Sequence, residues 1–336
     1  MLNRTITIQS MCDTKTENVA ATVRQIRALE SEGCDLVRVA IPTLKAAKAI
    51  SKIRRQIHIP LIADIHFDPA LAIAAINAGA DKIRINPSNI KDKAQLKRIA
   101  ALAKKRKIPI RIGINAGSFP SAHPPTPQAL VKEAIKWVKF FESESFKNLV
   151  ISIKSSDIET TIKANELLHQ ALKRRKTPYP IHLGLTEAGT LIQGVVKSTI
   201  ALSHLLKKGI GNTIRLSLTE NPIQGVKAAK ELLKALGLYA KEPTIISCPT
   251  CGRTEIDLKS LVKKIEDGIK KLKITRPLKI AVMGCVVNGP GEARHADYAI
   301  CGGRHAGAIY KRGRFIKSVP EKNLVKEFLN LIKGEK

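Results

Sequence analysis

Apolar and polar positions alternate in blocks through the first two thirds of the chain. Short runs rich in Val, Ile and Leu fall at 5–10, 35–41, 61–66, 82–86, 110–115, 149–154, 181–186 and 213–218. Their nearly continuous apolar character is that of strands covered on both faces. Between them lie stretches with helical spacing and ordinary start and stop signals. A helix over 16–32 ends at Gly33, one over 69–78 at Gly79, and one over 197–208 at Gly209. Thr126-Pro127 and Asn221-Pro222 open helices with an N-cap and a proline in the first turn, and Asp157 caps another. Eight βα units in succession predict a TIM (β/α)8 barrel over residues 1–238. A doubly wound sheet is the alternative, but it seldom uses eight such regular units.

From residue 239 the rhythm changes. Short strands at 244–247, 279–283, 305–310 and 315–319 alternate with helices at 258–271 and 321–333. This predicts a small α+β domain over 239–336. It carries Cys248-Pro249-Thr250-Cys251-Gly252-Arg253 and then Gly284-Cys285-Val286-Val287-Asn288-Gly289-Pro290-Gly291-Glu292. Three cysteines on Pro/Gly turns, without a fourth of matching spacing, suit an iron–sulfur cluster, which needs soft ligands on tight turns. The glycines around Pro290 leave backbone N–H groups to bond cluster sulfurs. A structural zinc site is the rival, since CxxC turns also build those, and metal-free cysteines are the third possibility.

Charge adds a constraint. The formal net charge of +30 suits nucleic acid, an anionic substrate or an acidic protein partner. The densest basic runs, 104–107 and 173–176, sit at expected helix C-termini, where cations complement the dipole. No aromatic residues interleave with them, so no specific nucleic-acid site is expected. Six cysteines do not make a disulfide scaffold. The N-terminal residues lack an apolar secretory segment, and no apolar run reaches the ~18 residues of a membrane span. A cytoplasmic protein with no membrane association is the expectation.

Barrel chemistry gathers at the C-terminal ends of the strands. There the sequence offers Arg38, Asp64, His66, Arg84, Asn86, Arg111, Asn115, Lys154, Glu187, Arg215 and Ser217. Residues two apart share a strand face. Arginine in a barrel mouth is costly unless an anion meets it, and these cations outnumber Asp64 and Glu187. A diphosphate matches guanidinium forks. In that reading the cations, with Asn86, Asn115 and Ser217, bind phosphate, and Asp64, His66 and Glu187 handle protons and substrate hydroxyls. The Asp64/His66 pair alone equally suits a metal site or a hydrogen-bonded core pair.

In combination these residues resemble the 4-hydroxy-3-methylbut-2-en-1-yl diphosphate synthases of non-mevalonate isoprenoid biosynthesis. The likeness rests on Ile8-Gln9-Ser10-Met11, Asp35-Leu36-Val37-Arg38-Val39, Ala63-Asp64-Ile65-His66-Phe67-Asp68, Arg84-Ile85-Asn86-Pro87, Arg111-Ile112-Gly113-Ile114-Asn115-Ala116-Gly117-Ser118, His182-Leu183-Gly184-Leu185-Thr186-Glu187-Ala188-Gly189 and both cysteine motifs. It implies a TIM barrel followed by a cluster domain resembling part of sulfite reductase. It implies a 4Fe–4S cluster on Cys248, Cys251 and Cys285 with Glu292 as fourth ligand. It further implies a homodimer, and reductive ring opening of 2-C-methyl-D-erythritol 2,4-cyclodiphosphate with electrons from ferredoxin or flavodoxin. The residues by themselves also fit an iron–sulfur or zinc barrel protein acting on another anionic ligand, or a non-enzymatic nucleic-acid-binding iron–sulfur protein.

Overall fold

The computed structural model describes residues 5–90, 92–119, 123–175 and 178–334; Lys176, the last residue of the second basic run, lies outside them. The chain divides into two compact units, Met1–Leu238 and Tyr239–Lys336.

The first unit begins β1 (Thr7–Met11), α1 (Val19–Ser31), β2 (Leu36–Ala40), α2 (Leu44–Arg54), β3 (Leu61–Ile65), α3 (Pro69–Asn77), β4 (Lys82–Ile85) and α4 (Lys93–Arg106). It continues β5 (Ile110–Asn115), α5 (Pro127–Ser143), β6 (Leu149–Lys154), α6 (Ile158–Arg174), β7 (His182–Leu183), α7 (Leu191–Lys207), β8 (Thr213–Ile214) and α8 (Pro222–Ala235). The strands run parallel in the order β6-β5-β4-β3-β2-β1-β8-β7. Between β6 and β7 the wall is continued by a bridge from Ile151 to Ile181 and by Ile151 N–H donating to Pro180 O at 2.9 Å. The result is a TIM barrel. Side chains of Thr43, Asp68, Asp92, Thr126, Asp157 and Asn221 accept N–H bonds from the first turns of their helices, which fixes where each helix leaves the mouth. Strand residues such as Ile8, Val37, Ile62, Ile83, Ile112 and Ile151 have no exposed surface.

Three elements of this unit, β7, β8 and α7, differ from expectation. The ladders of β7 and β8 stop at Leu183 and Ile214, well short of residues 186 and 218. Just beyond, a Cβ on Gly184 would meet the Arg215 carbonyl and Lys154 Nζ, so the chain leaves regular pairing where large cationic side chains crowd in. Helix α7 starts at Leu191, one and a half turns before residue 197. Its early outward positions are apolar, with Ile192, Val196 and Ile200 exposed, and that obscures the amphipathic period.

The second unit comprises β9 (Thr244–Ser247), α9 (Leu258–Lys271), β10 (Lys279–Met283), α10 (Gly289–Arg294), β11 (Tyr298–Gly303), β12 (Ala306–Lys311), β13 (Arg314–Pro320) and α11 (Glu321–Lys333). Its sheet has the order β13-β12-β11-β10-β9, with β9, β10 and β11 parallel and the other pairs antiparallel. Alternation along β10 divides the faces. Ile280 and Val282 pack with Ile265 of α9 and Phe328 of α11, whereas Ala281 and Met283 pack with Ala293 of α10 and Cys301 of β11. Neither α10 nor β11 was among the expected elements. No helix among the described residues is long and apolar enough to cross a membrane.

Candidate functional site

The strand ends of the first unit converge on a cavity of about 220 Å³. It is lined by Met11, Arg38, Asp64, His66, Arg84, Arg111, Asn115, Ser152, Lys154, Thr186, Arg215 and Ser217. Register explains the convergence. Asp64 pairs with Arg84, Arg84 with Arg111, and Asn115 with Lys154, so these positions follow one another around the wall. The large side chains fit because small residues face them. A Cβ on Gly113 would strike the Arg84 guanidinium, as one on Gly184 would strike Lys154.

One carboxylate faces four arginines and a lysine. Asp64 Oδ1 lies 3.3 Å from Arg84 Nη1, and its Oδ2 lies 3.8 Å from Arg38 Nε and 3.4 Å from His66 Nε2. Burial would raise the Asp64 pKa. The Arg38 charge, the His66 hydrogen bond, Arg84 and Arg111 outweigh it and hold this carboxyl well below the usual range. Asp64 is therefore ionised at any working pH and serves as an acceptor. The cations are under the opposite stress. Burial, then the neighbouring positive charges, lower Arg111 and Lys154 well below their ordinary values. Arg215 falls to about 9, from burial and then Arg38.

Protein groups satisfy these cations only in part. Arg38 Nη2 donates to the Met11 thioether at 2.9 Å, a weak acceptor. Arg111 Nη1 donates to Gln9 Oε1 at 2.9 Å, and Arg84 Nη2 to the Gly113 carbonyl at 3.3 Å. With its amide turned to suit its neighbours, Asn115 also accepts from Arg84 Nη2 at 3.3 Å. Arg84 Nε, Arg111 Nε and Gln9 Nε2 are buried without an acceptor among the described residues. A buried donor left unmet costs about 1–3 kcal/mol, more when charged. Such a mouth is built for a compact polyanion.

Two candidate residues lie elsewhere. Asn86 is buried but not in the cavity lining: its Oδ1 caps the short 3-10 turn Pro87–Asn89, and its Nδ2 donates to Asn89 and Ser118. Glu187 is exposed, with φ +46°, and is also absent from the lining. Sequence reasoning had assigned no role to Gln9, Met11, Ser152, Thr186 or His182. Gln9, Met11, Thr186 and His182 all belong to the motifs quoted above, which was the available signal; Ser152, a plain strand serine, had none. His182 is fully buried with neither ring nitrogen bonded, and burial, Arg111 and Lys154 keep it neutral.

In the second unit, Cys248 follows β9 and Cys285 follows β10, neighbouring parallel strands, so both emerge at the same sheet end. Gly284 N–H donates to Cys248 Sγ at 3.3 Å. Cys251 is exposed, and its thiol is lowered by the Arg253 backbone N–H, the Arg253 charge and the Thr254 hydroxyl. Glu292 is exposed on α10. The remaining cysteines differ. Cys12 and Cys34 are buried and raised to about 12, mainly by that burial, and Cys301 is buried and raised to about 11 by burial and Cys285. Among the described residues, no three His, Cys, Asp or Glu side chains stand together as a ready metal cage. The donor set nevertheless fits an iron–sulfur cluster: three accessible thiols on turns, one already accepting an N–H bond and one with its thiolate favoured.

A parallel barrel with a cation-rich mouth, joined to a cysteine-bearing α+β unit, defines a class of two-unit barrel proteins suited to a small polyanion. The chain belongs to the GcpE family. Residues 2–230 match the GcpE TIM-barrel domain and residues 244–334 the GcpE protein C-terminal domain. Relatives named 4-hydroxy-3-methylbut-2-en-1-yl diphosphate synthase (flavodoxin) include one from Lysinibacillus sphaericus, 49% identical over 95% of this chain and 86% of its own length. Another, from Caldanaerobacter subterraneus subsp. tengcongensis, is 49% identical over 98% and 92%. Among solved structures, dihydropteroate synthases from Yersinia pestis and Xanthomonas albilineans align over 70% of this chain and 94% of theirs. Each has a TM-score of 0.50, at 13% and 18% identity respectively, and the likeness speaks for the barrel fold alone.

Proposed function

We propose that this chain converts 2-C-methyl-D-erythritol 2,4-cyclodiphosphate to 4-hydroxy-3-methylbut-2-en-1-yl diphosphate, with flavodoxin as electron donor. The observation that carries this reading is the mouth, where five cations face one carboxylate and two guanidinium N–H groups lack acceptors. The near-half identity to relatives of that name over almost the whole chain supports the particular reaction.

The conversion takes up two electrons and two protons and releases one water. One ring C–O bond to phosphate breaks, one hydroxyl is lost, and a C=C bond forms. Arg38, Arg84, Arg111, Lys154 and Arg215 hold the diphosphate. They also stabilise the charge that appears on the phosphate oxygen as the ring opens, since they are already in place before the reaction. Asn115 and Ser217 orient phosphate oxygens. His66, partly exposed and held by Asp64 at 3.4 Å and Arg84 Nη1 at 3.0 Å from its Nε2, delivers a proton to the departing hydroxyl in this reading. Lys154 regains its proton affinity when the diphosphate binds. A 4Fe–4S cluster held by Cys248, Cys251 and Cys285, with Glu292 completing the set, supplies single-electron transfer when bound. A reducing cytoplasm suits these accessible thiols.

A homodimer belongs to the same reading. Two copies of a chain with +30 charge repel, so a self-association face must be poor in charge. The outward stripe of Ile192, Val196 and Ile200 on α7 is such a face. Sedimentation of Ile192→Lys/Val196→Lys should show monomers where the parent shows dimers.

Anaerobic assay with reduced flavodoxin and the cyclodiphosphate, with the product read by phosphorus NMR, tests the function. Cluster-replete protein that leaves the cyclodiphosphate untouched would overturn it.

A further inference from the structure

Electrons reach a cysteine-held centre through the part of the surface where its ligands are accessible. In the second unit that place is marked by exposure. Cys251 is exposed, and Cys248 lines an open groove of about 560 Å³ with Ser247, Pro249 and Thr250. The groove's other wall is the outer face of α9, which contributes Lys259, Val262 and Lys263. Lys259 and Lys263 are four apart, so they stand one turn above the other on the same helical face. Both are exposed, and among the described residues neither is paired with a carboxylate. Arg253 adds a third exposed cation two residues beyond Cys251. Glu266 and Asp267, about one turn further along α9, also line the groove, so its cations come from the N-terminal part of the helix, which follows the cysteine turn in the chain. The helix is a firm platform, because Leu258, Leu261, Ile265 and Ile269 anchor its inner face in the core.

Resting on the proposed function, and locating one step of it, we propose that this groove is where the acidic flavodoxin docks. Lys259 and Lys263 meet its carboxylates, and the Cys248–Cys251 turn lies against the flavin-bearing face. A chain with +30 charge attracts an acidic protein from every side, so general attraction raises the encounter rate without choosing an orientation. Cations fixed beside the cysteine turn choose it. Electron-transfer complexes sit at the small end of interface areas, so a few such cations suffice.

Zero-length carbodiimide cross-linking of the holoprotein to oxidised flavodoxin, read by peptide mass spectrometry, should join flavodoxin carboxylates to Lys259 and Lys263. The variant Lys259→Glu/Lys263→Glu should lose those links and raise the KM for flavodoxin about tenfold, with a weaker dependence on salt. Turnover driven by dithionite-reduced methyl viologen, which needs no protein docking, should stay within twofold of the parent. Links confined to other lysines, such as Lys104, Lys105 or Lys107, or a flavodoxin KM unchanged in the variant, would overturn the docking site. Links at Lys259 and Lys263 in a parent that fails to turn over the cyclodiphosphate even with viologen would leave the docking site standing and remove the proposed function instead.

Discussion

The barrel mouth and the cysteine turns are opposite solutions to holding a charged group. The mouth is made of side chains on strands and just beyond their ends, and Arg38, Arg84, Arg111 and Lys154 are buried before any ligand arrives. Arg111, at 2% exposure, is among the largest fully buried side chains of the molecule. The cysteines ride on turns, range from half-buried to exposed, and do not form a ready cage among the described residues. The difference follows from chemistry. Guanidinium groups in an apolar wall repel each other and relax unless packing holds them, so the site must be rigid. Uncomplexed thiols on turns carry little charge, so they tolerate exposure to water without a rigid frame.

Replacing residues on the two sides tests that contrast. The largest effect is expected on the turns. Cys285→Ala should abolish iron and sulfide binding and the visible absorption of reconstituted protein, while Cys301→Ala should keep both, because Cys301 is a buried residue packed against Gly289. A full cluster in Cys285→Ala would refute the ligand set.

The next effect is expected in the mouth. Arg111→Ala should weaken binding of the cyclodiphosphate about 10- to 100-fold, from loss of a charge-assisted hydrogen-bonding group worth roughly 1.5–3 kcal/mol. The cluster spectrum should be unchanged. Calorimetric titration under anaerobic conditions measures this, and a lost spectrum with intact affinity would make Arg111 a structural residue.

Gly184→Ala should follow, at about 1–3 kcal/mol of stability lost in chemical denaturation, since the new methyl meets the Arg215 carbonyl and Lys154 Nζ. Gly237→Ala meets nothing within 4 Å and carries the strain of φ +67° alone, whereas Gly184, at φ +158°, is nearly extended and crowded, so the pair compares strain with crowding. A Gly184→Ala variant as stable as the parent would show that crowding there contributes nothing.

The smallest effect concerns pH. Burial and Arg111 push Lys82 down to about 8, and Arg215 falls to about 9, so both bind a proton less tightly folded than unfolded. Across their windows the unfolded chain holds more protons, and stability rises with pH, by about 1 kcal/mol between pH 8 and 9. Cys12 and Cys34, raised to about 12, act the other way once pH passes the ordinary thiol value of 9.0. Denaturant midpoints measured from pH 7.5 to 9 should therefore climb, and a flat profile would contradict the buried-cation assignment.

Much of the barrel was legible because apolar runs and caps each report on local physics. Pro127 and Pro222 sit in the first turns where they were read, and Asp157 caps α6. The parts that escaped are those where tertiary context overrides local preference. Residues Gly289–Arg294 begin Gly-Pro-Gly, a poor helix sequence, yet they form a turn and a half over β10 and β11. Strand β11 ends in Gly302 and Gly303 and reads as loop, but Gly302 sits where a Cβ would strike Ile256 and the Gly284 carbonyl. In the site, Arg38, Asp64, His66, Arg84 and Arg111 were legible as strand-end residues. Asn86 also caps the 3-10 turn Pro87–Asn89, a local role that strand alternation does not reveal. Gln9 and Met11 escaped because an amide and a thioether carry no charge signal, although they are the partners that hold Arg111 and Arg38 in place.

The mouth's excess of cations has a practical meaning at the bench. Inorganic phosphate, sulfate and pyrophosphate offer the same tetrahedral oxygens as a diphosphate, so under the proposed role of Arg84 and Arg111 they compete for that pair. An affinity measured in phosphate buffer will understate the intrinsic one, and the shortfall will grow with the buffer's concentration. Competition of this kind multiplies the apparent Kd by one plus the ratio of free anion to its own Kd, so a titration repeated at several phosphate concentrations extrapolates to the intrinsic affinity.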